Sequence, residues 1–297
     1  MDLRRLRYFS ILAEELNFTR AARRLYIAQP ALSQQIKALE RDIGAQLIHR
    51  SSGGCTLTEV GTVVAREADE LLVHVAAAQE RIRAAIGGRQ GPLRLAYTRS
   101  ARGSLVDAIV TEFRARNPDI DLVLQTGWTT HNITELLAGR LDAAFVRPPV
   151  DTPGIQCRHI AREELLLAVP ADHLLARERR IARQRIAAEP VILWPRENGP
   201  GMHDRITQQL WPHGGPRIMR EEPDDEQLLL TVAAGVGIAP VPEGRARALR
   251  IPGVRLRRFT APVPTVDLAL AYHSRNASPV LEQLLDLIES MTDPAPA

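Results

Sequence analysis

Gln29, Ser33, Gln34 and Lys37 fall within nine positions of each other and are all residue types that can engage a polar polymer. Amides and hydroxyls both donate and accept hydrogen bonds, and an ammonium is a compact cation, so the set suits the base edges and phosphates of duplex DNA. On a helix beginning near Gln29, about 100° per residue places Pro30, Ser33, Gln34 and Lys37 within an arc of about 100°, and Leu32, Ile36 and Leu39 within a separate arc of about 60°. One face packs and the other looks outward. A second group lies far along the chain: Thr98, Arg99, Ser100, Thr129 and Arg147. Hydroxyls beside guanidinium groups suit a small anion, because an arginine can hold a carboxylate in a bidentate manner.

The first group needs a scaffold, and the sequence around it supplies one. Leu3, Leu6, Phe9, Leu12 and Leu16 recur at spacings of three and four, which predicts an amphipathic first helix. Thr19 is read as the cap of a short second helix, where Ala21 and Ala22 permit close packing. Gln29-Pro30 opens the third helix, since proline's fixed φ and missing N–H are tolerated at a first helical position. A short helix, a tight turn and a helix with a polar face form a helix-turn-helix. Beyond Gly44, Gln46–His49 and Cys55–Leu57 read as two strands around a turn at 51–54, a wing. Thr58 can cap a long helix reaching Ile86, in which Val64, Ala68, Leu71, Val75, Ala78, Ile82 and Ala85 make a heptad seam. A stripe of that length needs a partner to cover it, so the helix is read as a linker through which two copies pair. Residues 87–92, rich in glycine and closed by Pro92, mark a hinge.

The second group belongs to a different pattern. Strands at 93–97, 120–125 and 142–146 alternate with helices at 104–117 and 132–138, and a further set follows at 165–169, 191–194, 203–210, 225–234 and 236–241. Alternation of this kind predicts a mostly parallel sheet covered by helices. Ligands of open α/β sheets bind beyond the carboxyl ends of the strands. That rule selects Thr98, Arg99 and Ser100, then Trp128, Thr129 and Thr130, then Arg147. Across the cleft, the run from Asn198 through Gly199, Pro200, Gly201 and Met202 precedes a helix and offers backbone donors.

The run LRRLRYFSILAEELNFTRAARRLYIAQPALSQQIKALERDIGAQLIHR, followed by LTEVG, resembles the DNA-binding domain of LysR-type transcriptional regulators nearly position by position. The resemblance implies that Gln29, Pro30, Ala31, Ser33 and Gln34 approach base edges, while Thr19, Arg20, Lys37 and Arg50 meet phosphates. Many members of the family carry an arginine in the wing where this chain has Gly53, so insertion into the minor groove is not expected there. DLVLQTG, LLAGRLDAAFVRPP and LLLTVAAGVGIAPVP follow in the order of the family's effector-binding half, which is similar to type 2 periplasmic binding proteins. The fold so implied is an all-α winged helix-turn-helix domain (1–58) and an α/β two-lobed effector domain (89–297), joined by a long linker helix (59–88). Lobe I would span about 92–162 and 267–292 and lobe II about 163–266, with crossovers near 161–165 and 261–266. AAFVRPP, with Thr129 upstream and the 200–202 loop, is similar to the branch that controls breakdown of aromatic acids. A carboxylate effector follows from that resemblance, held by Thr98, Arg99, Ser100, Thr129, Arg147, Gly201 and Met202. Arg99 and Arg102 depart from that branch. The implied partners are double-stranded DNA, an anionic effector and further copies of the chain as a dimer and tetramer, with RNA polymerase as a contact the family allows.

Composition agrees with a globular protein of 297 residues, 45% hydrophobic and 25% charged, with a formal net charge of +3. Lys37 is the only lysine, so the positive charge is almost all arginine. No run approaches the roughly 20 apolar residues of a membrane span, and the first residues lack a secretory pattern, so a cytoplasmic protein is expected. Cys55 and Cys157 are far apart and form no CxxC, which argues against a zinc site, a disulfide framework and a paired-thiol redox sensor. An enzyme is the main competing class. The chain contains no GxSxG, P-loop or HExxH motif, and His131, His159 and His203 stand singly, so neither a metal nor a cofactor is expected. A solute-binding protein would fit the two-lobed half but has no use for residues 1–58.

Overall fold

A computed structural model of the chain describes residues 2–51, 54–86 and 91–292, with the side chains of Arg50 and Ser51 and a few in the 77–85 stretch outside the description. The chain divides into two compact units, Met1–Gly87 and Gly88–Ala297.

In the N-terminal unit, α1 (Leu3–Glu15), α2 (Phe18–Arg24) and α3 (Gln29–Ile43) are followed by the two-stranded ribbon β1 (Ile48–Ser51) and β2 (Gly54–Leu57), then α4 (Glu59–Ile86). Leu6, Phe9 and Leu12 of α1 enclose a core with Ala21, Ala22, Leu32, Ile36 and Leu39. Each fully buried large side chain of this kind contributes about 1.5–3 kcal/mol. Leu3 and Leu16, expected on the same stripe, are about half exposed; Leu3 opens the helix, and Leu16 leaves it in a left-handed conformation at φ 47°. The carbonyl of Leu16 instead accepts from the Cys55 amide at 3.1 Å, which ties α1 to β2. Gly54 sits beside this contact at φ +152°, where an added Cβ would come within 3.0 Å of the Leu16 oxygen.

Capping of α2 corrects the sequence reading. Asn17, not Thr19, is the cap: its side chain accepts from the amides of Thr19 and Arg20, and Thr19 lies inside the helix. Thr58 does cap α4, accepting from the Gly61 amide at 2.9 Å and donating to the Gln46 carbonyl at 2.8 Å. The first wing strand begins at Ile48 rather than Gln46, and Ser52 and Gly53 lie outside the described residues. Ala68 of α4 is buried, and Asp69 accepts from Ser10 of α1 at 2.5 Å, whereas Leu71 and Ile82 of the heptad seam are exposed.

The C-terminal unit runs β3 (Leu93–Thr98), α5 (Leu105–Arg116), β4 (Leu122–Gly127), α6 (Thr129–Leu137), β5 (Ala143–Val146), β6 (Ile155–Pro170), β7 (Arg180–Ile181), β8 (Pro190–Leu193), α7 (Pro200–Leu210), β9 (Arg217–Glu221), α8 (Asp225–Ala233), β10 (Ala239–Pro242), α9 (Glu243–Ala248), β11 (Val254–Phe259), β12 (Thr265–His273) and α10 (Pro279–Thr292). The sheet order is β4-β3-β5-β12-β6-β11-β7, with β10 also on β6 and a separate parallel pair β8-β9. β3, β4 and β5 are parallel as predicted, but β12 runs antiparallel to both β5 and β6. The segment 161–165, read as a crossover, lies inside the single 16-residue strand β6. Its first part pairs with β12 and its second with β10 and β11, so this one strand joins the two halves of the unit. Leu95, Phe113, Phe145 and Leu284 centre one core; Leu167, Val191, Ile206 and Leu229 centre another. β4 and α6 also shift from the sequence reading: the strand ends at Gly127 and the helix starts at Thr129. This shift sets Thr129 on the first turn of α6, at the edge where the sheet rule placed it.

Candidate functional site

Two surfaces carry the residues singled out from the sequence. On the N-terminal unit, α3 begins without a side-chain cap at Ala28 and carries Pro30 in its first turn. Leu32, Ile36 and Leu39 are fully buried, while Gln29, Pro30, Ala31, Gln34 and Lys37 are exposed and Ser33 is half-buried. Thr19 and Arg20 are exposed on α2. Lys37 has no ion-pair partner among the described residues. Arg20 is partly engaged: its guanidinium meets Glu15 at 3.1 Å and donates to the Glu15 carbonyl. Alongside α3 runs a broad depression of about 930 Å³ whose lining includes Arg5, Gln34, Lys37, Arg41 and Gln46. Arg50 lies on β1 with its backbone opposite Cys55, and its side chain is outside the described residues.

On the C-terminal unit a cavity opens between the ends of β3 and β4 and the start of α7. Thr98 and Ser100 form one wall, with Trp128 and Thr129; Trp194, Gly199, Met202 and His203 belong to the other. The space between the walls admits the centre of a water-sized sphere over only about 20 Å³. That is room for about one water, so a larger occupant requires the walls to part. Thr130 Oγ1 donates to the Glu197 carbonyl across the mouth at 2.7 Å.

The polar atoms of this cavity are unusual for a buried site. Thr98 and Ser100 are 1% and 0% exposed, yet neither hydroxyl oxygen has a hydrogen-bond partner, and neither does His203 Nε2. An unpaired buried polar group costs about 1–3 kcal/mol, a penalty that a bound molecule relieves. Trp194 is fixed by donating from Nε1 to Asp225 Oδ1 at 3.0 Å. Asp225 is fully buried, and burial pushes its carboxyl up, against the opposing charge of Arg245.

The sequence-selected residues divide here. Thr98, Ser100, Thr129 and Met202 meet at the cavity. Arg147 does not line it, which corrects the expectation of a free guanidinium facing these hydroxyls. It is 1% exposed, pairs with Glu163 at 2.5 Å, and donates to the carbonyls of Ser100 (2.8 Å) and Asp267 (3.4 Å). Its amide donates to Thr129 Oγ1 at 3.2 Å. It thus buttresses the wall from behind. Arg99 points away toward Asp224, the cap of α8, at 3.4 Å. Gly201 serves packing: a Cβ there would come within 2.1 Å of the Pro149 carbonyl. Trp194 and His203 were read as a strand residue and an isolated histidine, and nothing local marked them as neighbours of Thr98. Among the described residues no cluster of His, Cys, Asp and Glu could hold a metal, and no helix is long and apolar enough to cross a membrane.

Comparison with known proteins gives this arrangement a family. Residues 3–62 match the bacterial regulatory helix-turn-helix proteins of the lysR family, and residues 87–292 match the LysR substrate binding domain. The chain belongs to the LysR family of transcriptional regulators, with a helix-turn-helix domain followed by an effector-binding α/β domain. It is 33% identical to the HTH-type transcriptional regulator TfdS of Cupriavidus pinatubonensis over 97% of both chains. It is 28% identical to the HTH-type transcriptional regulator AlsR of Bacillus subtilis over 97% of this chain and 95% of that one. Among solved structures, full-length CbnR in complex with its target DNA superposes with a TM-score of 0.78 at 27% identity, covering 98% of this chain and 99% of that one.

Proposed function

We propose that residues 1–58 read an operator through α3, that α4 with the rest of 59–88 pairs two copies, and that 89–297 senses a small carboxylate in the cavity at Thr98 and Ser100. The observation that carries this reading is the division of α3, with Leu32, Ile36 and Leu39 fully buried and Gln29, Pro30, Ala31, Gln34 and Lys37 exposed on the other side. A helix of this form fits the major groove, where Gln29, Ser33 and Gln34 discriminate bases. Thr19, Arg20, Lys37 and Arg50 hold the phosphates, with Arg20 exchanging Glu15 for the DNA backbone. The likeness to CbnR bound to its target DNA supports the same mode here.

The cavity supports the sensing half. Hydroxyls of Thr98 and Ser100 donate to the carboxylate, with Thr129 beside them and Met202 packing from the facing wall. Arg147 supplies positive potential from behind the wall, partly balanced by Glu163, rather than a direct grip. The exposed Leu71 and Ile82 of α4 support pairing between copies, and the family supports further association into a tetramer. Effector binding parts the walls and so shifts how the copies pack, which alters the DNA-bound form by no more than the effector's differential affinity for the two packings.

Selection from a randomised DNA library, followed by mobility shift of the full chain, tests the DNA half: saturable, sequence-selective binding is expected. Titration with benzoate and dicarboxylic acids, read by tryptophan fluorescence, tests the sensing half. Trp128 and Trp194 line the cavity. No response to any acid from folded protein contradicts a carboxylate effector.

A further inference from the structure

His203 is the polar group of the cavity that faces Thr98 and Ser100 from α7, and its neighbour decides what it can offer. Its Nδ1 lies 3.3 Å from Asp204 Oδ1. The same carboxylate takes two bonds from Arg196, at 2.7 and 2.6 Å. The Arg196 hydrogen bonds hold the Asp204 carboxyl down to about 2, so it is ionised and can only accept. Nδ1, set against an acceptor-only carboxylate, therefore carries a proton donated to Asp204, and in the imidazole form this leaves the lone pair on Nε2, toward the cavity. Nε2 is buried and has no partner, on a side chain that is 13% exposed.

The two walls are thus chemically opposite. Thr98 and Ser100 offer hydroxyls that can donate to an anion, while His203 offers an acceptor. A plain carboxylate answers only the first wall, and an oxygen lone pair placed against Nε2 is repelled. Trp128 and Trp194 contribute apolar surface to the lining, and the narrow space between the walls favours a small occupant.

We propose that the effector is a small hydroxylated carboxylic acid, its carboxylate on Thr98 and Ser100 and its hydroxyl donating to His203 Nε2. The proposal rests on the carboxylate reading above and adds the second functional group to it. His203 is then the residue that separates hydroxy acids from their unhydroxylated parents. A site built to bond a ligand hydroxyl discriminates against the analogue lacking it, because the buried acceptor is left unpaired.

The test is calorimetric titration of the full chain with benzoate against its 2-, 3- and 4-hydroxy isomers, and with succinate against malate. In at least one pair the hydroxylated acid is expected to bind about tenfold tighter or more. His203→Phe should bring that ratio close to one, with melting temperature and DNA binding verifying the fold. Asp204→Asn, at an exposed position, removes the ionised carboxylate that fixes the proton on Nδ1 and should narrow the preference. Parents binding as tightly as hydroxy acids throughout the panel overturn the proposal, as does a preference that survives His203→Phe. Parent acids that bind with proton uptake, seen as a buffer-dependent enthalpy, overturn it too, because His203 then acts as a cation. Failure of every acid to bind removes the carboxylate reading, and the proposal with it.

Discussion

The face of α3 and the cavity beside β3 are both polar sites, but they are built in opposite ways. On α3 Gln29, Gln34 and Lys37 stand in solvent on a helix whose other side, at Leu32, Ile36 and Leu39, is fully buried, so their exposure costs little. In the cavity Thr98 Oγ1, Ser100 Oγ and His203 Nε2 are buried with no hydrogen-bond partner from the protein, so their bonding capacity is left for whatever enters the space. A surface that must slide along a charged polymer tolerates solvated side chains. A site that must respond to one small molecule gains from polar groups the protein itself leaves unpaired.

The largest way to break this contrast is to attack the support behind the cavity. Glu163→Gln leaves the Arg147 guanidinium buried without its counter-charge, and removing one partner of a buried pair costs about 3–5 kcal/mol. Chemical denaturation should show this loss in the transition of the C-terminal unit. Trp194→Phe is expected to cost less, about 1–3 kcal/mol, since it strips Asp225 of one hydrogen bond while keeping most of the apolar bulk. Selected-operator binding without acid should be retained in that variant. Lys37→Ala acts on the other region: affinity falls on all DNA sequences alike, and the slope of log K against log salt drops by about 0.9. Acid-induced fluorescence change should be unaltered.

The smallest effect concerns pH. Burial would raise the Asp267 carboxyl, but the Arg162 hydrogen bond and the charges of Arg205, Arg162 and His159 outweigh it and hold the group below its ordinary value. Its contribution is therefore present above the unfolded carboxyl's pKa of about 4 and is lost as pH falls through the lower folded value. Asp267→Asn should flatten the acid limb of the stability curve by up to about 1 kcal/mol, as expected of partly exposed partners.

The two regions also differed in how much the sequence disclosed. α3 was legible because its buried and exposed residues separate at helical spacing within fifteen residues. α2 was placed well but its cap was not, since Asn17 and Thr19 are both capping types two positions apart and only the backbone distinguishes them. β6 escaped notice in its first half because its exposed residues there, among them Arg158, His159 and Arg162, break the apolar pattern of a buried strand. The cavity was half legible. The sheet-edge rule located Thr98, Ser100 and Thr129, but Arg147 is paired with Glu163 and supports the wall instead of lining the space. The partnership of Trp194 with Asp225, 31 positions away, and the meeting of His203 with Thr98, are products of tertiary folding that leave no local pattern.

The central claim is that α3 reads bases, and the ratio of affinities for selected operator and random DNA, measured for the full chain and for Gln29→Ala at one salt concentration, tests it most directly. The account predicts that Gln29→Ala lowers operator affinity by about 1–3 kcal/mol while binding to random DNA scarcely changes, so the ratio collapses. Equal losses on both DNAs would contradict it.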